Sequence, residues 1–465
     1  MKQAQTNKAL AGFSLAFGLF LGLAILKFGN PVILDQKIVP PASFSDLLTD
    51  FWPTHWAIWL ALPFGVVGWV LIRRNQSPWP THYLLWLLPL LWLGWQLISA
   101  ITSVDHTLSA STLPQFIGCV GTYFLGAFLF GRPMVMRWLL VGILAAFTFC
   151  LMRGVEQRVY EFPANYANLE EGEKCQWTNL PPALFLELKS ENIIVNTNGI
   201  DVANPAILAK FAKGRVYGTL VYPNALAGII LLLLPVALVI AFNDTKSLKQ
   251  TIRGAVIALT AGLGTLAFIF TGSKLGWLLA LALGGLLLFR LDWSTRLKWL
   301  SLAIVLSVGL GIFVVRFHNY FAAGATSAGA RFDYWRAAAQ TFSDNPVVGT
   351  GPGTFQRPYA RLKSPDAEMA RLTHNDYLEQ FSDSGLIGGL AYLAWITLAL
   401  GTVGRRIWVG GDYLSVALFA GLLAWFVQGL GEFSLYIPAL AWTAFTLLGC
   451  LVGLSANEFD KKPRN

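Results

Sequence analysis

From 371-RLTHNDYLEQFSDSGLIGGLAYLAWITLAL-400 the chain changes character within a few residues. The first part carries a histidine, amides and carboxylates, and the second runs on without a charged side chain. The second part has the composition of a segment that crosses a bilayer, which places the polar cluster at a membrane's edge. Similar apolar runs recur along all 465 residues, of which 55% are hydrophobic and only 13% charged. Soluble domains carry about 25% charged residues, so the deficit argues for a membrane protein. About twelve spans are expected, near residues 9–26, 55–72, 83–101, 114–130, 137–153, 222–242, 254–271, 275–289, 299–315, 385–403, 413–430 and 436–454. The first is too long for a signal-peptide core and no small-x-small cleavage site follows, so it reads as an uncleaved span. Cys119, Cys150 and Cys450 fall in or at the ends of spans and Cys175 is alone in a loop, which excludes a disulfide framework.

The net charge of +9 would suggest a nucleic-acid partner in a soluble protein. Its location excludes that reading. Basic residues gather in the short connections: Lys2 and Lys8, Arg73 and Arg74, Arg132 and Arg137, then Lys246, Lys249 and Arg253. Arg290, Arg296 and Lys298, Arg405 and Arg406, and the C-terminal Lys461, Lys462 and Arg464 continue the series. If the spans alternate, all of these lie on one side, the positive-inside pattern, so both termini are expected in the cytoplasm. Two long connections lie on the other side, about 154–221 and 316–384. The first ends in 203-ANPAILAKFAKGRVYGTLVYPN-224, where Ile207, Leu208 and Phe211 share one face of a possible interfacial helix. Neither loop promises a large core of its own. The expected fold is all-α, one polytopic membrane domain with two large loops.

The second loop concentrates Arg316, Arg331, Arg336, Arg357, Arg361, Lys363 and Arg371 against Asp333, Asp344, Asp366 and Glu368. An anionic ligand accounts for this excess, because guanidinium matches phosphate oxygens and stays charged. Within 330-ARFDYWRAAAQTFSDNPVVGTGPGTF-355 a helix is expected to end before Pro346. Gly349, Gly351 and Gly353 then form either a phosphate cradle or a tight turn under a packed loop. Histidine is the residue type suited to proton transfer at neutral pH, so His374 is a candidate to take a proton from, or give one to, a hydroxyl or phosphate. A helix is expected to start here with Thr373 or Asn375 as cap, and the alternative is that His374 merely caps that helix at the water interface. The first loop adds Arg215, with Lys210 and Lys213, ahead of Tyr222-Pro223-Asn224, where a headgroup would meet the positive end of a helix. The hairpin 270-FTGSKLGW-277 places Ser273 and Lys274 between two spans, where Lys274 either meets a ligand or snorkels.

Together, "GTLVYPNALAGI", "TGSKLGWLLALALGGLLL", the Arg331–Phe355 segment and "THNDYLEQFSDSGLIGGL" resemble the O-antigen ligase and polymerase superfamily over about residues 210–400. The resemblance implies an integral-membrane glycosyltransferase of the C type in the bacterial inner membrane, acting at the periplasmic face. Its donor would be an undecaprenyl-diphosphate-linked glycan, and its acceptor a lipid A core sugar, a growing glycan or a protein hydroxyl. Neither metal nor nucleotide-sugar cofactor is expected. By position, Arg215 matches the family's arginine before the Pro-Asn span, Arg331 the one before the loop tryptophan, and His374 the loop histidine. Ser273–Lys274 stands for the usual Ser-Arg pair, and Asp383 for a nearby glutamate. Arg215, Arg331 and His374 are therefore the expected catalytic groups, with Lys274, Ser273, Arg336, Asn224 and Asn375 touching substrate. A ligase is preferred to a polymerase or a protein glycosylating enzyme. A transporter of the bicarbonate type is disfavoured, because transport needs ionisable groups at mid-membrane and the expected spans carry almost none.

Overall fold

A computed structural model describes residues 2–75, 82–322 and 326–459. In hydrocarbon the backbone has no water to bond, so apolar segments close their hydrogen bonds internally as helices. Helix α1 (Lys2–Lys27) leads through α2 (Phe44–Thr49) to α3 (Thr54–Asn75), α4 (Leu84–Ile101), α5 (His106–Leu125) and α6 (Pro133–Glu156). The first long loop holds α7 (Phe162–Lys174), α8 (Pro182–Ser190), strands β1 (Ile194–Thr197) and β2 (Ile200–Ala203), and α9 (Pro205–Lys213). Then come α10 (Pro223–Asp244), α11 (Gln250–Thr271), α12 (Lys274–Leu288) and α13 (Thr295–Ala322). The second long loop holds α14 (Thr326–Asp344) and α15 (Gln356–Leu362), before α16 (Asp376–Gly410), α17 (Tyr413–Gln428) and α18 (Pro438–Phe459). Among the described residues ten helices are long and apolar enough to cross a membrane, and the shorter apolar α12 and α17 bring the set to the expected twelve. The fold is all-α and polytopic.

Helix α18 is central, its apolar window 100% buried, whereas α3 and α13 bury only 11% of theirs and turn the rest outward. Apolar side chains gain little by leaving lipid for protein, so close backbone approach drives the packing. Gly449 and Gly453 of α18 lie against the backbone at Tyr123 of α5 and Ala127 of the π-helical turn Gly126–Phe130 that extends it, and Gly18 and Gly22 of α1 face Leu139 and Gly142 of α6. In each case a Cβ would strike a carbonyl of the neighbouring helix.

The first loop departs from expectation. Ile207, Leu208 and Phe211, on the face expected to be interfacial, pack in part on Leu169, Trp177, Ile194 and Ala203, a small core of the loop itself. The β1–β2 hairpin that supplies part of it turns at Asn198–Gly199, both with positive φ, the pairing that a two-residue hairpin favours.

Helix α16 begins at Asp376 rather than near 385, because Gly385 does not start the span but kinks it (φ 64°, ψ −161°). The turns ahead of the kink bury Asp376, Glu379 and Asp383 inside the bundle, so the expectation of nearly charge-free spans fails here. The kink accommodates the glycine-rich segment. Leu386 N donates to Pro346 O (2.8 Å), and Gly351 N to Asp383 O (2.9 Å). Gly353 N donates to Asp383 Oδ2 (2.7 Å), as does Tyr436 OH (2.8 Å). Gly349 N is bonded to Asn345 O, so all three glycine N–H groups are engaged and the segment is a packed turn, not a phosphate cradle. Just beyond it, the exposed Arg357 pairs with Asp105 (2.6 Å), the N-cap of α5. A Cβ at Gly385 would collide with the carbonyl oxygens of Val347 and Pro346. Gly385→Ala is therefore expected to destabilise the protein by about 2–6 kcal/mol, from backbone strain and overpacking together. Thermal unfolding in detergent measures this, and an unchanged midpoint would refute the packing described.

Candidate functional site

Four segments far apart in the chain meet at the end of the bundle where α10, α12, α16 and α18 begin. Arg215 follows the left-handed Gly214 that ends α9. Its Nε donates to Thr271 O at the end of α11 (2.8 Å) and its Nη2 to Asn224 Oδ1 in the first turn of α10 (2.8 Å). Asn224 Nδ2 in turn donates to Glu432 Oε1 (2.7 Å), which also accepts from Arg331 Nη2 of α14 (2.5 Å). Glu432 Oε2 lies 3.6 Å from His374 Nδ1. The hub is thus a buried carboxylate between α17 and α18, and it joins an amide, a guanidinium and an imidazole. Burial lowers the Arg215 pKa from its usual value, the charge of Glu432 raises it, and that of Arg331 lowers it further.

His374 is held in the left-handed region (φ 53°), rare for a residue with a side chain. The flanking residues fix it there. Glu379 Oε2, one turn into α16, accepts from both the N and Oγ1 of Thr373 (2.9 Å each). Asn375 Oδ1 accepts from Tyr377 N (3.1 Å) and Leu378 N (3.0 Å), the N-cap of α16. Between these anchors the imidazole projects against Phe433 (4.7 Å, edge-on) and Tyr334 (5.9 Å, stacked). Its Nδ1 is buried without a hydrogen-bond partner. His374 is therefore not the helix cap; Asn375 is.

Of the eight residues expected at the site, Arg215, Asn224, Arg331 and His374 are joined through Glu432. Lys274 stands within Coulombic reach of Arg215 and Arg331. Its ammonium rests over the rings of Tyr320 (3.9 Å) and Phe317 (5.3 Å) at the end of α13. Ser273 is buried and caps α12 through Gly276 N (3.2 Å), and Asn375 Oδ1 is engaged as the cap of α16. Arg336 is exposed on α14 beside Asp333 (3.5 Å) and does not join the cluster. The sequence reading missed Glu432 as a site residue. It is a single carboxylate in 431-GEFSLYIP-438, between two apolar runs, and its isolation was the only signal.

The twelve apolar helices and this cationic end define a multi-pass membrane protein with an anion-suited site at one end of its bundle. Residues 255–393 match the O-antigen ligase family, a match that takes in α12, Arg331, the glycine-rich segment and His374 and supports assignment to the O-antigen ligase superfamily. An uncharacterized protein of Haemophilus influenzae is 24% identical over 182 residues, 34% of this chain and 45% of that relative's length. The chain thus spans less than half of that relative.

Proposed function

We propose that the protein transfers a glycan from an undecaprenyl-diphosphate-linked donor to an acceptor hydroxyl at the periplasmic face of the inner membrane, as an O-antigen ligase does. The observation that carries this reading is the convergence of Arg215, Arg331 and His374 on Glu432, with Lys274 close by. Three cations in a half-buried setting stabilise the negative charge that grows on a departing diphosphate, without calling on a metal. His374 then serves the acceptor. A proton on Nδ1, turned toward Glu432, leaves Nε2 to take the proton of the acceptor hydroxyl. That oxygen attacks the anomeric carbon as the carbon–oxygen bond to phosphate breaks on the opposite face. The electron pair leaves with the diphosphate, and the configuration inverts.

Purified protein in nanodiscs, given labelled undecaprenyl-diphosphate oligosaccharide and a core-sugar acceptor, is expected to move label to the acceptor. Label found only in chains extended on the lipid would assign a polymerase instead. No transfer to either, with solute uptake in proteoliposomes, would overturn the reading. Arg215→Lys keeps the charge but loses the directed pair of bonds to Thr271 and Asn224. It is expected to cut kcat by about 10–100-fold, less than the roughly 10²–10³-fold lost when a preorganised donor is removed outright, because the charge remains. Transfer at the unaltered rate would remove Arg215 from the chemistry.

A further inference from the structure

His374 and Arg331 also line a cavity of about 460 Å3 whose remaining walls differ in character from the cation cluster. Tyr334 and Tyr359 form one side, their rings set edge to face at 5.3 Å. Asp333, Asp366 and Glu368 line it as well. Tyr359 OH donates to Glu368 O (3.1 Å), which ties the carboxylate-bearing strip to the ring it faces. Lys363, just beyond α15, is turned onto its own loop: its Nζ donates to Ala367 O (2.9 Å) and lies close to two further carbonyls of the same turn. Arg336 accompanies Asp333, but among the described residues no cation lies within ion-pair distance of Asp366 or Glu368. The two faces of the site therefore carry opposite charge, and His374 stands where they meet.

Carboxylates accept hydrogen bonds from hydroxyl and ammonium groups and repel phosphate and carboxylate. On the transferase reading above, the group beside His374 opposite the diphosphate is the acceptor. We propose that this cavity is the acceptor sugar's subsite, and that it selects an uncharged or amine-bearing sugar over a phosphorylated or uronic one. Asp366 and Glu368 determine that selection, and the buried Tyr334 and Tyr359 back the cavity wall.

Binding can be read without turnover, by saturation-transfer NMR of the protein in nanodiscs with glucosamine, glucose, glucuronate and glucose 6-phosphate as probes. Glucosamine is expected to bind most tightly and the two anions about ten-fold more weakly or not at all, from the charge-assisted contacts. Asp366→Asn combined with Glu368→Gln should bring the four probes to similar affinity. Both residues are exposed, so the double variant should fold as the parent does, which its unfolding midpoint checks. Anions binding as well as glucosamine, no probe binding at all, or a ranking that survives the double variant would each overturn the proposal. Arg215→Lys distinguishes the two readings: it should lower transfer and leave the probe ranking unaltered. Preserved ranking without transfer in the parent protein would sink the transferase reading and keep the sugar site.

Discussion

Replacing His374 with glycine is expected to leave the protein folded and to lower glycan transfer by about 10²–10⁴-fold, the usual contribution of a positioned general base. Glycine is the informative choice because of the backbone. At φ 53° a side chain costs conformational energy that glycine does not pay, so the variant removes the imidazole and the strain together. Alanine would remove the imidazole and keep the strain, mixing two effects. The anchors on either side, Thr373 on Glu379 and Asn375 on the first N–H groups of α16, do not involve the imidazole and should persist. The unfolding midpoint is therefore expected to stay level or rise while transfer collapses. A glycine variant that transfers glycan normally would show that the imidazole has no chemical part.

The second large effect is expected at Glu432. Its carboxylate is buried and accepts from Asn224 and Arg331. Glu432→Ala leaves Arg331 without its counter-charge, beside Arg215 and Lys274, inside a partly desolvated site. Removing one partner from a buried pair costs about 3–5 kcal/mol, chiefly because the remaining charge stays buried. The unfolding midpoint should fall accordingly, and transfer should be lost with it. Glu432→Gln separates the two consequences. The amide oxygen still accepts from Asn224 and Arg331, so most of the stability should return, while the negative charge facing His374 Nδ1 is gone. Transfer in the Gln variant should remain depressed at saturating donor. Were Glu432→Ala as stable and as active as the parent, the hub described here would have no energetic meaning.

Much of this was legible from sequence, for physical reasons. Spans announce themselves by length and the absence of charge, and the basic short connections fixed their alternation; twelve apolar helices follow. The convergence of Arg215, Arg331 and His374 was anticipated from their common placement beside span ends and from family resemblance. Other features were not read, although some were readable. Ser273 immediately precedes a helix and is a residue type that caps one, so its engagement by a backbone N–H follows from the same helix-start chemistry that made Asn375 a candidate cap. Arg336 lies five residues beyond Arg331, which on a helix of 3.6 residues per turn sets it about 140° around the axis. It belongs to the opposite face. Asp376, Glu379 and Asp383 share one helical face, but Gly385 looked like the start of a span rather than a bend within one. Glu432 is different in kind: a single carboxylate whose partners come from α10, α14 and the turn before α16 carries no local pattern, and only the tertiary structure identifies it.

The glycine-rich segment has a further consequence for how substrates come and go. Residues 345–353 are stitched to α16 and α5, and so cannot swing with the rest of the loop above the site. Past Phe355 the chain carries α15 and the strip of Asp366 and Glu368, and it is held inward by Tyr359, which is buried against Tyr334, Phe355 and Ala370. Arg357 adds a pair to Asp105 at the surface, and exposed pairs of this type contribute about 0–1 kcal/mol. The cover of the site is thus fastened chiefly by apolar packing, so its hold on the bundle should change little with ionic strength.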